Sequence, residues 1–428
     1  MMRNALLFAL MAALFVFTGL TQSWNVALTI LNMGVISAIM ALGVNMQWGY
    51  AGLFNIGVMG FAALGGLAVV LVATPPVEGA MAAGGWRILG ALAVGVAALV
   101  AASLVWRRLP RFRMLAVLSI IVAGFFIFRG IFDPGVAAVE AINPTIQGNL
   151  GGFGLPVLLA WPAGGILAAL AAWAIGKTAL GLRSDYLAIA TLGIAEITLA
   201  ILRNEEWLSR GVKNVIGLPR PVPYEVDLQR STAFVDWATG FGFDPAAASS
   251  IVVKLCYLGL FAVVLALVML LAELALHSPW GRMMRAIRDN EVAAGAMGKN
   301  VKARHLQIFI IGSAVIGIAG AMMTTLDSQL TPSAYQPLRF TFLIWVMVIV
   351  GGSGNNWGAM LGGFLIWWLW VMVEPMGASL LHTLTAPLPD GWAKAHLLDG
   401  AAHMRLLTMG IILLLVLRFS PRGLIPGR

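Results

Sequence analysis

The segment Ser278–Arg304 reads SPWGRMMRAIRDNEVAAGAMGKNVKAR and lies between two long apolar runs. Six of its residues are basic: Arg282, Arg285, Arg288, Lys299, Lys302 and Arg304. A charge at the centre of a bilayer costs about 2.5–3.5 kcal/mol, so this segment cannot lie in lipid. It is a loop outside the membrane, and the apolar runs beside it are crossings. Ser278 followed by Pro279 has the pattern of an N-cap and a first helical residue. On the wheel of that helix Arg282, Arg285 and Arg288 share one face, and Trp280, Met283, Met284 and Ile287 take the other. Asn290 caps a second short helix that opens with Glu291, at the positive end of the helix dipole, and continues through Ala293 and Ala294. Gly298 supplies the left-handed turn that stops it. Two readings follow: a charged loop that only sets topology, or a small-residue plug shaped for a groove on a partner protein.

Composition carries the membrane assignment to the whole chain. Of 428 residues, 60% are hydrophobic and 11% are charged, against about 25% charged in a soluble domain. Apolar runs predict twelve crossings, near 4–22, 26–45, 51–73, 86–106, 114–132, 154–176, 184–203, 250–276, 306–325, 338–352, 356–374 and 404–418. The expected fold is an all-α polytopic bundle of about 10–12 transmembrane helices, some of them broken. It forms one membrane domain over residues 1–428. With the basic loop 277–305 placed inside, Arg3, the cluster Arg107-Arg108-Leu109-Pro110-Arg111-Phe112-Arg113, Lys177, Arg183, Arg418, Arg422 and Arg428 also fall inside. More than half of the 27 basic residues then obey the positive-inside rule, with both termini cytoplasmic. The opposing loop 204–249 holds Arg210, Lys213, Arg220 and Arg230, offset by six acidic residues. Residues 1–22 have the charge and apolar run of a signal peptide, but no A-x-A-like cleavage site follows, and a retained helix is expected. The stretch 77–150 reads as a helical pair around a basic turn, and the loops 204–249 and 375–403 as ordered surface caps.

Enzymatic chemistry is not expected. Gly298-Lys299 lacks the leading glycine and the Ser/Thr of a phosphate loop. His277, His305, His382, His396 and His403 show no metal-ligand spacing. No cofactor or metal is implied, and the net charge of +9 reflects cytoplasmic loops rather than nucleic-acid binding. The single cysteine, Cys256, is expected as a small buried hydrophobe. The candidate chemistry is polar and glycine-broken helix within the membrane. Residues 42–57 carry Asn45, Gln47, Tyr50 and Asn55 among four glycines, and unwound backbone at that depth needs protein or a water-filled path to satisfy it. This segment either lines a transport path or packs closely through small residues. Glu196 lies a dozen residues into its run, about 18 Å along a helix. It is either a functional carboxylate or a helix-pairing hydrogen-bond partner.

These residues together resemble a family. Ser278-Pro279-x-Gly281-Arg282-x-x-Arg285-Ala286-Ile287-Arg288, followed by Glu291-x-Ala293-Ala294-x-x-x-Gly298, is similar to the coupling loop of ABC importer permeases. More narrowly it resembles the M-type permeases of branched-chain amino acid importers. Gly49-Tyr50-Ala51-Gly52-Leu53, Asp185-Tyr186-x-Ala188-Ile189-x-Thr191-Leu192 with Glu196-Ile197, Gly351-Gly352-x-Gly354 and Arg418-x-x-Pro421-x-Gly423-Leu424 fit in the same order. The likeness covers most of 30–75 and 178–425 and fails over 77–150, which reads as an insertion or a divergent pair. The resemblance implies an inner-membrane permease that pairs with a homologous H-type permease, two cytoplasmic ABC ATPase subunits and a periplasmic solute-binding protein. The ATPases would act on Arg282, Arg285, Arg288, Glu291, Ala293, Ala294 and Gly298. The solute, a branched-chain amino acid or a relative such as urea or an aromatic acid, would pass Asn45, Tyr50, Asn55, Thr191 and Glu196. The rival reading is a self-contained secondary transporter or channel.

Overall fold

Caps and apolar runs set the helix boundaries, and the computed structural model describes residues 2–108, 112–142, 148–182, 184–386, 391–392 and 398–427. The long helices are α1 (Met2–Thr21), α2 (Trp24–Asn45), α3 (Val58–Ala73), α4 (Trp86–Arg108), α5 (Arg113–Glu140), α6 (Ala160–Ala179), α7 (Ser184–Asn204) and α8 (Pro245–His277). Two short helices, α9 (Pro279–Asp289) and α10 (Glu291–Ala296), precede α11 (Val301–Asp327), α12 (Pro337–Gly351), α13 (Asn356–Thr385) and α14 (Met404–Phe419). Each of the twelve expected runs holds a helix, though those in 51–73, 338–352 and 404–418 have only 16, 15 and 16 residues. Among the described residues nine helices are long and apolar enough to cross a membrane, and Val58–Ala73 and Phe340–Gly351 are shorter apolar helices. The chain is an all-α, multi-pass membrane bundle. Leu109, Pro110, Arg111, Arg183, Pro387, Pro389, His396 and Arg428 lie outside the described residues.

The run expected over 51–73 becomes regular α-helix only from Val58. Before it α2 widens into a π-helical turn over Met46–Tyr50, Gly52 takes a left-handed φ of 70°, and residues 52–57 are irregular. The break persists because its backbone finds partners. Leu53 N donates to Gln47 O at 3.0 Å, Ile56 N to Thr191 Oγ1 at 3.1 Å, and Trp345 Nε1 to Asn55 O at 3.0 Å. Irregular backbone at membrane depth is stable only when protein satisfies it in this way.

α2 is the central post. It is buried on every side from Gly34 to Asn45, because α1, α8, α11, α12 and α13 pack around it. A second group, α3, α6 and α11, meets through glycines. A Cβ on Gly65 would stand 1.9 Å from Gly317 O, and one on Gly320 would stand 2.0 Å from Ala62 O. Lipid tails provide no hydrophobic drive between helices, so such close backbone approach supplies the packing. Cys256 is exposed rather than buried. The inward stripe of α8 is Val253, Tyr257, Phe261, Leu265, Val268 and Ala272, and Cys256 falls off it.

α4 and α5 stand apart from this body. They pack on each other, with a Cβ on Gly124 meeting Ala98 Cβ at 2.5 Å. They build a separate apolar cluster of Ala80, Ile88, Ala91, Phe132 and Val139. The base of the pair is closed by Val77 N donating to Leu150 O at 3.3 Å, and Phe132 meets Trp207 edge-on at 5.8 Å. At the same end of the bundle Val215–Ile216 pairs antiparallel with Gln329–Leu330, which ties the segment after α7 to the turn after α11.

Candidate functional site

The basic loop folds as its caps require. Ser278 Oγ accepts from Gly281 N at 3.2 Å and Asn290 Oδ1 accepts from Ala293 N at 2.9 Å, so α9 and α10 each begin on a satisfied donor. Gly281 has to be glycine, since a Cβ there would sit 2.4 Å from the carbonyl oxygens of Ala275 and Leu276. Met284 and Ile287 anchor α9 in the body, while Arg282 and Glu291 are exposed and Arg285 is half-buried. Gly298, at φ 76°, makes the left-handed turn after α10.

On α10 the surface differs from the one the small residues suggested. Ala294 is turned inward at 9% exposure, whereas Val292 is 83% and Met297 80% exposed. The loop therefore presents two larger apolar side chains, Val292 on α10 and Met297 just after it, with Ala293 exposed beside them. Sequence reasoning missed Val292 and Met297, although two sizeable hydrophobes in so basic a loop were the available signal.

Arg288 joins this loop to the broken segment. Its Nη1 donates to Gly49 O at 2.6 Å, and its guanidinium also pairs with Asp289 at 3.0 Å. Gly49 sits in the π-helical turn, where a Cβ would come within 2.3 Å of Asn45 Oδ1 and 2.4 Å of Gly354 N. Only glycine leaves that space. From there two buried polar clusters spread. In the first, Asn356 Oδ1 accepts from Asn45 Nδ2 at 3.2 Å and from Tyr50 Oη, while Asn356 Nδ2 donates to Glu273 Oε1 at 3.0 Å. In the second, Asn55 Nδ2 donates to Gln47 Oε1 at 2.9 Å, and Gln47 Nε2 donates to Phe309 O and Ser313 Oγ, each at 3.0 Å. Thr191 Oγ1 receives Ile56 N and donates to Ala188 O at 2.9 Å.

Asn45, Tyr50, Asn55 and Thr191 are thus brought to the broken segment, fully buried and hydrogen-bonded. They hold α2 to α7, α11 and α13, and Trp48, Phe54 and Trp345 meet beside them in tilted and edge-to-face contacts with centroids 4.7–5.5 Å apart. Glu196 is not part of this group. Helical phase puts Thr191, Ala195 and Leu199 on the inner stripe of α7 and leaves Glu196 exposed on the outer one. A small cleft between α3, α6 and α7 runs past Gly57, Gly60, Phe61, Thr191 and Thr198 on the inner side.

This arrangement links the protruding loop, by one arginine, to a break in the central helix. Residues 135–417 match the family model described as "Branched-chain amino acid transport system / permease component". The chain belongs to that family. The high-affinity branched-chain amino acid transport system permease protein LivM of Escherichia coli (strain K12) is 29% identical over 237 residues, 54% of each chain. Its namesake in Salmonella typhimurium is 29% identical over the same share. The chain spans about half the length of these two curated relatives. The probable branched-chain amino acid transport permease protein LivM of Methanocaldococcus jannaschii is 27% identical over 397 residues, 91% of this chain and 90% of that one. No solved structure matches the chain.

Proposed function

We propose that this protein is the membrane-spanning subunit of an ATP-driven importer, and that it moves branched-chain amino acids inward across the bacterial inner membrane. In this reading it works with a homologous H-type permease, two cytoplasmic ATPase subunits and a periplasmic solute-binding protein, and has no hydrolytic site of its own. The loop 277–305 and both termini are cytoplasmic, the loop 204–249 is periplasmic, and 77–150 is an inserted helical pair on a single membrane domain. The observation that carries the proposal is the Arg288–Gly49 link. An ATPase groove that takes Val292 of α10 and Met297 just after it moves α9 with them, and Arg288 passes the displacement to the π-helical turn. Gln47, Asn55 and Thr191 then carry it to α11 and α7, so that the break acts as the hinge of the bundle. Buried, uncharged polar groups suit a hinge, because each can exchange one neutral partner for another.

The test is purification of the tagged chain with its partners and assay in vesicles. ATPase subunits should co-purify, and ATP should drive uptake of leucine, isoleucine and valine in competition with one another and not with urea or benzoate. Uptake of urea in place of leucine removes the substrate assignment, and purification without any ATPase removes the importer reading.

A further inference from the structure

The outer stripe of α7 runs through Ile189, Gly193, Glu196, Ala200 and Arg203, positions that recur on one face of a helix. Glu196 and Arg203 are seven residues apart, two turns or about 10.5 Å along the axis. Neither makes a hydrogen bond or ion pair among the described residues, and Arg203 Nε is buried with no partner. On the stripe itself Ala200 stands between them, with Gly193 one turn before Glu196. Ala200 is exposed, and a Cβ added to Gly193 would meet nothing within 4 Å. Ile189 and Ile197 flank the charges at 67% and 60% exposure. Arg203 is half-buried, and helix side chains lean toward the N-terminus, the direction in which Glu196 lies.

A carboxylate facing hydrocarbon at mid-helix is unfavourable, so this face is not covered by lipid tails. We propose that the stripe Glu196–Ala200–Arg203 is a subsite for the zwitterion of an α-amino acid. Arg203 takes the carboxylate in its planar fork, Glu196 takes the ammonium, and Ile189 or Ile197 meets the aliphatic side chain. The proposal rests on the permease reading and gives it a substrate class, since urea lacks both charges and an aromatic acid lacks the cation. Two opposite charges with a gap between them suit a ligand that carries both signs. They also suit passage, because a site open on one face and built of two side chains binds weakly enough to release.

The experiment uses the assembled complex in nanodiscs, with Ile197→Cys in a Cys256→Ser background, and follows the rate of thiol labelling. Leucine at about ten times its half-saturating level should slow labelling roughly tenfold, as an occupied and unreactive site requires. 4-Methyl-2-oxopentanoate, which lacks the ammonium, and isopentylamine, which lacks the carboxylate, should not slow it. Adding Glu196→Gln or Arg203→Gln should abolish the protection. Labelling that ignores leucine, or equal protection by either analogue, overturns the subsite and leaves the permease reading standing if the complex still imports leucine. Loss of the second permease from the purified Glu196→Gln complex also overturns it, and assigns the face to a subunit contact. A wild-type complex without ATP-dependent leucine uptake overturns both readings.

Discussion

In the proposed coupling, Arg288 is the residue on which transmission is concentrated. A charged hydrogen bond to a partly buried carbonyl contributes about 1.5–3 kcal/mol, enough to keep Gly49 O and α9 moving as one. Arg288→Ala should leave insertion and abundance unchanged, because Met284 and Ile287 still anchor the helix. ATP-dependent uptake should fall about tenfold or more while hydrolysis continues, the factor that corresponds to about 1.4 kcal/mol. Measuring solute uptake and phosphate release in the same vesicles checks this, and unaltered uptake would leave Arg288 a purely local role. At this scale the sequence was legible where a residue type clashes with its surroundings. Asn45, Gln47 and Asn55 stand out in an apolar run, and all three belong to the buried clusters. Orientation was not legible. Ala294 faces in, while Cys256 and Glu196 face out. Helix phase relative to neighbours decides these, and it is set by contacts hundreds of residues away in the chain.

The two elements that matter most are the short helix α10 and the interrupted end of α2. Capping chemistry is local, so Ser278, Asn290 and Gly298 sufficed to draw α9 and α10 from sequence, and the structure has them with Asn290 and Ser278 as side-chain caps. The break was legible in the glycines and asparagines of 42–57, but the start of α3 was not, because long-range partners of residues 52–57 set where the helix resumes. On α10 the exposed pair Val292 and Met297 is the expected contact with an ATPase groove. Val292→Asp with Met297→Asp should abolish co-purification of the ATPase subunits without lowering the amount of inserted protein. An apolar contact replaced by two desolvated carboxylates cannot be retained. Undiminished recovery of ATPase with the double variant would move the docking surface elsewhere on the loop.

At the scale of the molecule the chain divides unequally into a body and the α4–α5 pair. No residue of either helix enters the main apolar core, and the pair is closed off where Val77 meets Leu150. Replacing residues 78–149 by a short Gly-Ser linker should therefore give a protein that inserts, stays monodisperse in detergent and loses less than about 3 °C of melting temperature, the scale of one or two kcal/mol in a domain this large. Aggregation would show that the pair is structural to the body. Orientation is tested independently by single cysteines in a Cys256→Ser background of intact cells. Lys213→Cys should react with an impermeant reagent and Arg108→Cys should not, and the opposite pattern would invert the whole topology. The crossings themselves were legible throughout, since lipid demands long apolar runs. Which runs pack centrally was not, because α2 and α4 are both long and apolar enough to cross a membrane and differ in what surrounds them.

The hydrogen bonds of Gln47 carry a consequence for how the protein is made. Its partners Phe309 and Ser313 lie 262 and 266 residues downstream. At about 5–20 residues per second, a ribosome supplies them roughly 13–52 s after Gln47 has been synthesised. During that interval the second membrane segment carries an amide whose final acceptors do not yet exist. The nascent protein must hold this helix beside water, the translocon or an insertion chaperone, and it passes the helix into the bundle when the ninth long helix arrives.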